Sequence, residues 1–240
     1  MKKYVNLFVF VFMIGACLSQ GRAQTKSAVS YKNPVVDIAM PDPTVIKAAD
    51  GYFYVYATES TRNVPIMKSK DLVEWTYCNT AFTNKTRPRF EPKAGIWAPD
   101  INYINGKYVL YYAMSVWGGE QTCGIGVATA DSPQGPFTDH GKMFRSNEIG
   151  VQNSIDPSFL QYEGRNYLVW GSFRGIYVIE LTADGLSIMP GAKKKRIAGT
   201  AFEAVYIHKH GDYYYMSVSY THLQAHETKA NLVCRLLLEK

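Results

Sequence analysis

Asp42, Asp100, Asp156 and Glu203 each open a stretch of the same plan: a run of mostly apolar positions, a glycine six to nine residues on (Gly51, Gly106, Gly164, Gly211), then an aromatic-rich run. An ionised carboxylate can take a proton from water and a protonated one can give a proton to an oxygen, so acids brought to one place do acid–base chemistry. Gathering them is costly, because each charge disfavours ionisation of its neighbours, and the cost becomes useful where it separates the pKa values of similar groups. A single acid at a strand start can simply cap a turn. Recurrence in four stretches weakens that reading.

The elements that must position these acids follow from the repeat. The stretches cover residues 42–58, 100–115, 156–173 and 203–219, and their opening acids lie 58, 56 and 47 residues apart. In each, the glycine has Asp, Asn, Glu or His beside it, which is a hairpin signal. Further strand-like pieces occur at 64–68, 124–130 and 175–181. Four short strands in about 50 residues is the period of a propeller blade, and the expected fold class is an all-β propeller. Its innermost strands run side by side around a channel, so the four acids are expected to ring one mouth. A β-sandwich would not show so long a matched repeat, and no stretch of helical periodicity precedes residue 220.

Pro41-Asp42-Pro43-Thr44, Trp97-Ala98-Pro99-Asp100, Ser154-Ile155-Asp156-Pro157, and Phe202-Glu203 ahead of Tyr206-Ile207 together resemble the signature of glycoside hydrolase family 43, in order, across residues 32–219. Segments 67–75 and 128–137 are similar to outer strands and loops of its blades. The resemblance implies a five-bladed β-propeller, of which this chain would hold about three and a half blades. It also implies an inverting hydrolase of arabinose- or xylose-containing plant polysaccharides. Trp170-Gly171-Ser172-Phe173 with Gly175-Ile176-Tyr177 resembles arabinan-active members and places α-L-arabinan ahead of β-xylosides.

By the same resemblance Asp42 matches the general base, Glu203 the general acid, and Asp156 the carboxylate that tunes and orients the acid. Inversion needs acid and base about 6.5–9.5 Å apart, with water between the base and the sugar. A charged Asp156 beside Glu203 favours the protonated acid. Trp97, Ala98, Asp100 and Phe173 are the substrate-binding candidates. Trp97 either lines the sugar pocket or packs between blades; Asp100 has no catalytic step and either supports the Trp97 loop or touches sugar. For Trp170 and Phe173 ordinary blade packing is the stronger reading. The expected partner is an arabino- or xylo-oligosaccharide. No cofactor is needed for the chemistry, although an ion on the propeller axis of a complete protein is compatible with the family. His208 and His210 flank Lys209 at an expected hairpin tip without a third metal ligand in view. Ala204 departs from the family, whose members usually carry glycine there. Two other readings stand: a retaining propeller of the invertase type, whose Asn-Asp-Pro-Asn-Gly start is absent, and a sugar-binding propeller or fragment without turnover.

The ends carry different signals. Lys2 and Lys3 followed by the apolar run 5–16 read as an export signal over residues 1–23, too short to span a bilayer. Cleavage after Gly21-Arg22-Ala23 would release a periplasmic or extracellular protein; the lipobox-like Ile14-Gly15-Ala16-Cys17 would instead leave an outer-membrane lipoprotein anchored at Cys17. Residues 220–240 switch to helix-forming composition without glycine or proline and are expected to be a tail foreign to the family, so that the remaining blades would be missing. Of the net charge of +6, about +2 remains on the body between these ends, too little for a nucleic-acid footprint. Residues 193–196 are the one basic cluster recognised, expected in a solvated loop. Cys78 and Cys123 show no metal-ligand spacing, and no disulfide framework is expected.

Overall fold

The two-residue turns of this chain set its strand pairing. In the computed structural model, which describes residues 31–220 and 233–235, Asn105-Gly106 and Glu163-Gly164 hold positive φ at both positions (48° and 83°, 48° and 74°). Such turns have the twist that joins adjacent antiparallel strands, and they put Ile104 opposite Lys107 and Tyr162 opposite Arg165.

Repetition of this plan yields successive antiparallel sheets within the unit Lys32–Lys240. The first holds β1 (Thr44–Lys47), β2 (Phe53–Tyr56), β3 (Pro65–Ser69) and β4 (Thr76–Thr80); the second β5 (Gly95–Ile104), β6 (Lys107–Ser115), β7 (Gly124–Ala130) and β8 (Thr138–Arg145). The third holds β9 (Ser158–Tyr162), β10 (Arg165–Trp170), β11 (Ile176–Leu181) and β12 (Lys195–Ala198); the last, β13 (Phe202–His210), β14 (Tyr213–Tyr220) and β15 (Val233–Arg235). The expected strand pieces at 64–68, 124–130 and 175–181 are β3, β7 and β11. One turn of helix, α1 (Ser146–Ile149), interrupts the β-only expectation. Strand β15 falls in the segment whose composition favours helix. The signal segment with Cys17, and the rest of that tail, lie outside the described residues.

Three cores lie between consecutive sheets. Side chains of a strand alternate between its faces, so on β6 Leu110, Tyr112 and Met114 join Tyr54 and Tyr56 of the first sheet and Phe82 just after it. Val109 and Tyr111 meet Leu168 and Trp170 of the third. On β10 the same alternation sends Val169 the other way, to Val205, Ile207 and Met216. A strand buried on both faces reads as the unbroken apolar run seen in β6, and each such side chain contributes about 1.5–3 kcal/mol. Trp170 is wholly buried, its ring against Phe144 and Tyr177 and its indole N–H donating to Ser154 Oγ at 3.1 Å. It is a core residue and shapes no subsite.

Candidate active site

The inner strands β1, β5, β9 and β13 are each preceded, or interrupted near their start, by a residue of positive φ that is not glycine: Asp42 (47°), Ala98 (37°), Asp156 (57°) and Ala204 (54°). In β5 two residues, Ala98 and Pro99, stand between the pairs Trp97–Ala113 and Asp100–Tyr111. In β13 two residues, Ala204 and Val205, stand between Glu203–Ser219 and Tyr206–Ser217. These are β-bulges, which bend a strand and re-aim its side chains. The left-handed conformation costs an L-residue about 1–2 kcal/mol, and strain of this kind gathers at functional sites.

This register corrects the equivalence expected for the four acids. Asp42 and Asp156 share the positive-φ position with Ala98 and Ala204, whereas Asp100 lies two residues further on, level with Thr44, Ser158 and Tyr206. Glu203 lies one residue before, level with Trp97. The ring of four equivalent acids therefore resolves into two acids at the positive-φ position, one a residue before it and one two residues after it.

Asp100 is 8% exposed and fully engaged by protein. Phe159 N donates to Oδ2 at 2.7 Å, Asn102 Nδ2 to Oδ2 at 2.8 Å, and Thr44 Oγ1 to Oδ1 at 3.5 Å. Burial pushes its pKa up to about 6 against these hydrogen bonds. It thus stitches β1, β5 and β9 together.

The other three acids keep company. Asp42 is exposed, and Thr58 Oγ1 donates to its Oδ2 at 2.7 Å while accepting from Ala98 N at 2.6 Å. Asp156 is half-buried and accepts from Ala204 N at 3.3 Å. Its pKa is pushed up to about 7, first by burial, then by the charges of Glu203 and Asp42. Ser172 Oγ donates to Glu203 Oε2 at 3.0 Å, and a backbone bridge joins the same two residues. The electrostatic cost of crowding the carboxyls is carried by Asp156.

A cavity of about 970 Å³ opens over residues 42–47, 98–103, 156–159 and 204–209. Asp42, Asp156, Ala98 and Asp100 line it; Glu203, Trp97 and Phe173 do not. Phe173 (φ 43°) is half-buried in the turn after Ser172, its N–H bonded to Phe202 O at 2.9 Å. Trp97 is half-buried on Ala113, Cys123 and Ile155, and its ring meets Trp117 at 5.4 Å. Trp117, 94% exposed, was not singled out in the sequence. Its signal was a tryptophan beside Gly118-Gly119 in a loop, where no core requires one. Cys123 is buried and Cys78 half-buried, and both are free thiols. Among the described residues no three His, Cys, Asp or Glu side chains are grouped to hold a metal.

The inter-sheet packing and the solved structures of similar shape define the fold as a five-bladed β-propeller, with three four-stranded blades and three strands of a fourth among the described residues. The model of the glycosyl hydrolases family 43 matches residues 31–234, and the chain belongs to that family. The probable arabinan endo-1,5-alpha-L-arabinosidase C of Aspergillus niger is 32% identical over 196 residues, 78% of this chain and 60% of its own length. The extracellular endo-alpha-(1->5)-L-arabinanase 1 of Bacillus subtilis is 35% identical over 193 residues, 75% of this chain and 58% of its own. The chain therefore spans about three fifths of the length of these relatives. A native Bacillus subtilis arabinanase superposes with a TM-score of 0.67 at 32% identity, covering 77% of this chain and 67% of that one. An exo-1,5-alpha-L-arabinanase from a bovine ruminal metagenomic library gives 0.68 at 29%, covering 82% and 69%.

Proposed function

We propose that this chain is the catalytic propeller of an exported, inverting glycoside hydrolase whose substrate is α-1,5-linked L-arabinan. The observation that carries the reading is the convergence of Asp42, Asp156 and Glu203, with Asp156 raised to about 7 by burial and by the other two charges. The relatives' names supply the sugar. Asp42 removes a proton from water, whose oxygen attacks the anomeric carbon; as the glycosidic C–O bond breaks, Glu203 gives its proton to the leaving oxygen. Asp156 stands between the two roles. Near neutrality it exchanges a proton readily, and through Ala204 N it is tied to the bulge that follows Glu203. Trp97 and Trp117 together offer an aromatic face to a sugar ring. Export rests on the basic and apolar start and on the extracellular Bacillus relative.

The test is NMR of the first product released from an α-1,5-arabino-oligosaccharide. Inverted configuration supports the roles given; retention overturns them in favour of an Asp nucleophile. Calorimetric binding of the same oligosaccharide, unaltered by Glu203→Ala and without sugar release, would instead identify a non-catalytic binding propeller.

A further inference from the structure

A second cavity, of about 350 Å³, lies between the β2–β3 loop, the β4–β5 loop and β6, with Arg62, Arg87, Arg89, Glu91, Lys93 and Met114 in its wall. Two of its charges are already answered. Buried Arg87 grips Glu59 with both terminal nitrogens, and Glu91 accepts from Arg145 at 2.7 Å. Burial works against the Glu59 charge, but Arg87 and the amides of Asn63 and Ile96 prevail and hold its pKa below the usual range. Arg62, Arg89 and Lys93 have no carboxylate partner among the described residues.

The two arginines are nevertheless held in place, and by one residue. Arg62 Nε donates to Asn84 Oδ1 at 3.1 Å and Arg89 Nη2 to Asn84 O at 2.9 Å. Asn63 Nδ2 also donates to Asn84 Oδ1, at 3.1 Å, which orients that amide. A guanidinium has five N–H donors, so each keeps donors for a ligand, and their forked geometry matches a carboxylate. Both side chains are exposed and share Asn84 as acceptor; an anion held between two like charges turns their repulsion into binding. The volume is at the small end for ligand sites, the scale of one or two sugar rings.

Neighbouring structure links the cavity to the candidate active site. Glu59, the partner of Arg87, accepts from Ile96 N at 3.0 Å, ahead of Trp97 and Ala98. The residue before Glu59 is Thr58, which holds Asp42. We infer that this cavity is a second carbohydrate site, recognising the carboxylate of a uronic acid residue in an acidic polysaccharide. The choice of a sugar acid rests on the polysaccharide reading above, whereas the anion site itself does not.

The experiment titrates the whole chain, ¹⁵N-labelled on arginine, with trigalacturonate, its methyl ester and inorganic phosphate, following the Arg62 and Arg89 Nε–H signals. Trigalacturonate is expected to shift both signals, the neutral ester neither, and phosphate to bind more weakly. Arg62→Gln with Arg89→Gln should weaken trigalacturonate binding about tenfold to a hundredfold, the range of charge-assisted hydrogen bonds. Should that pair fail to fold, Lys93→Gln, whose ammonium makes no ion pair among the described residues, should cost about threefold. Binding of ester and acid alike, phosphate binding as tightly as the acid, or affinity that survives the substitutions would overturn the inference. Arabinan cleavage measured on the same samples reports separately on the proposed function.

Discussion

Asp42 and Asp156 share a strained backbone position and a proline on their C-terminal side, yet their surroundings divide their work. Asp42 sits at the exposed rim, held as an acceptor by Thr58, which suits a base facing water. Asp156 lies deeper, where burial and two neighbouring charges favour its protonated form. Glu203 faces Ser172 and belongs to the pair with Asp156. If Glu203 is the proton donor, Glu203→Gln will slow cleavage of natural arabinan linkages about 10²–10⁴-fold and spare activated aryl arabinosides, whose leaving groups need no proton. Asp42→Asn will slow both substrates by comparable factors, because both need deprotonated water. Initial rates on the two substrates distinguish the roles; equal losses for Glu203→Gln would return the donor role to Asp156.

Bulges and turns convert these residue properties into a site. The β10–β11 turn depends on Gly171, whose φ is 130° and where an added Cβ would come within 2.2 Å of Gly175 O. Gly171→Ala must move backbone and so displace Ser172 from Glu203; a loss of about 2 kcal/mol or more in urea unfolding is expected, together with reduced activity. Ala204 holds φ 54° with a Cβ in place, and glycine there relieves the strain while freeing the unfolded chain. The two effects leave Ala204→Gly more stable by about 0.5–1 kcal/mol, visible as a small rise in Tm. Asp100 acts across elements, and Asp100→Ala leaves Phe159 N and Asn102 without their acceptor. The expected loss is about 2–4 kcal/mol, and equilibrium unfolding of the variant measures it.

Across the whole described unit, stability comes from the cores between blades, while two raised carboxyls make it depend on pH. Asp100 and Asp156 bind protons more tightly in the native chain than unfolded, with values of about 6 and about 7 against about 4. Between those limits the native state holds more protons, so their contribution is complete below about pH 4 and is lost as pH rises through 6 and then 7. Tm should therefore fall from pH 5 to pH 8 by several degrees. Asp156→Asn keeps an acceptor for Ala204 N but cannot ionise, and should remove the upper part of the fall: its melting curve should match that of the parent near pH 5 and lie above it at pH 8. A parent Tm that is flat over this range would contradict the burial assigned to both groups.

The repeat, the hairpins and the strand pairs were legible in the chain itself, because apolar alternation and two-residue glycine turns are local properties of a few neighbouring residues. The motifs around Asp42 and Asp156 likewise marked residues that line the larger cavity. The register was not legible: two residues opposing one at Ala98-Pro99 and Ala204-Val205 shift Asp100 and Glu203 away from the positions their spacing suggested, and only paired strands define a bulge. Nor did the sequence show that Asp156 is raised, since its burial and neighbouring charges depend on Glu203 and Asp42, 47 and 114 positions away. Residues 193–196 read as a solvated basic loop because their charges are adjacent in the chain; Lys195 and Arg196 are instead exposed residues of strand β12. The cavity of Arg62, Arg89 and Lys93 draws its charge from separate loops. Contiguous pattern determines elements, while charge, register and cavities are decided by what folding brings together across the chain.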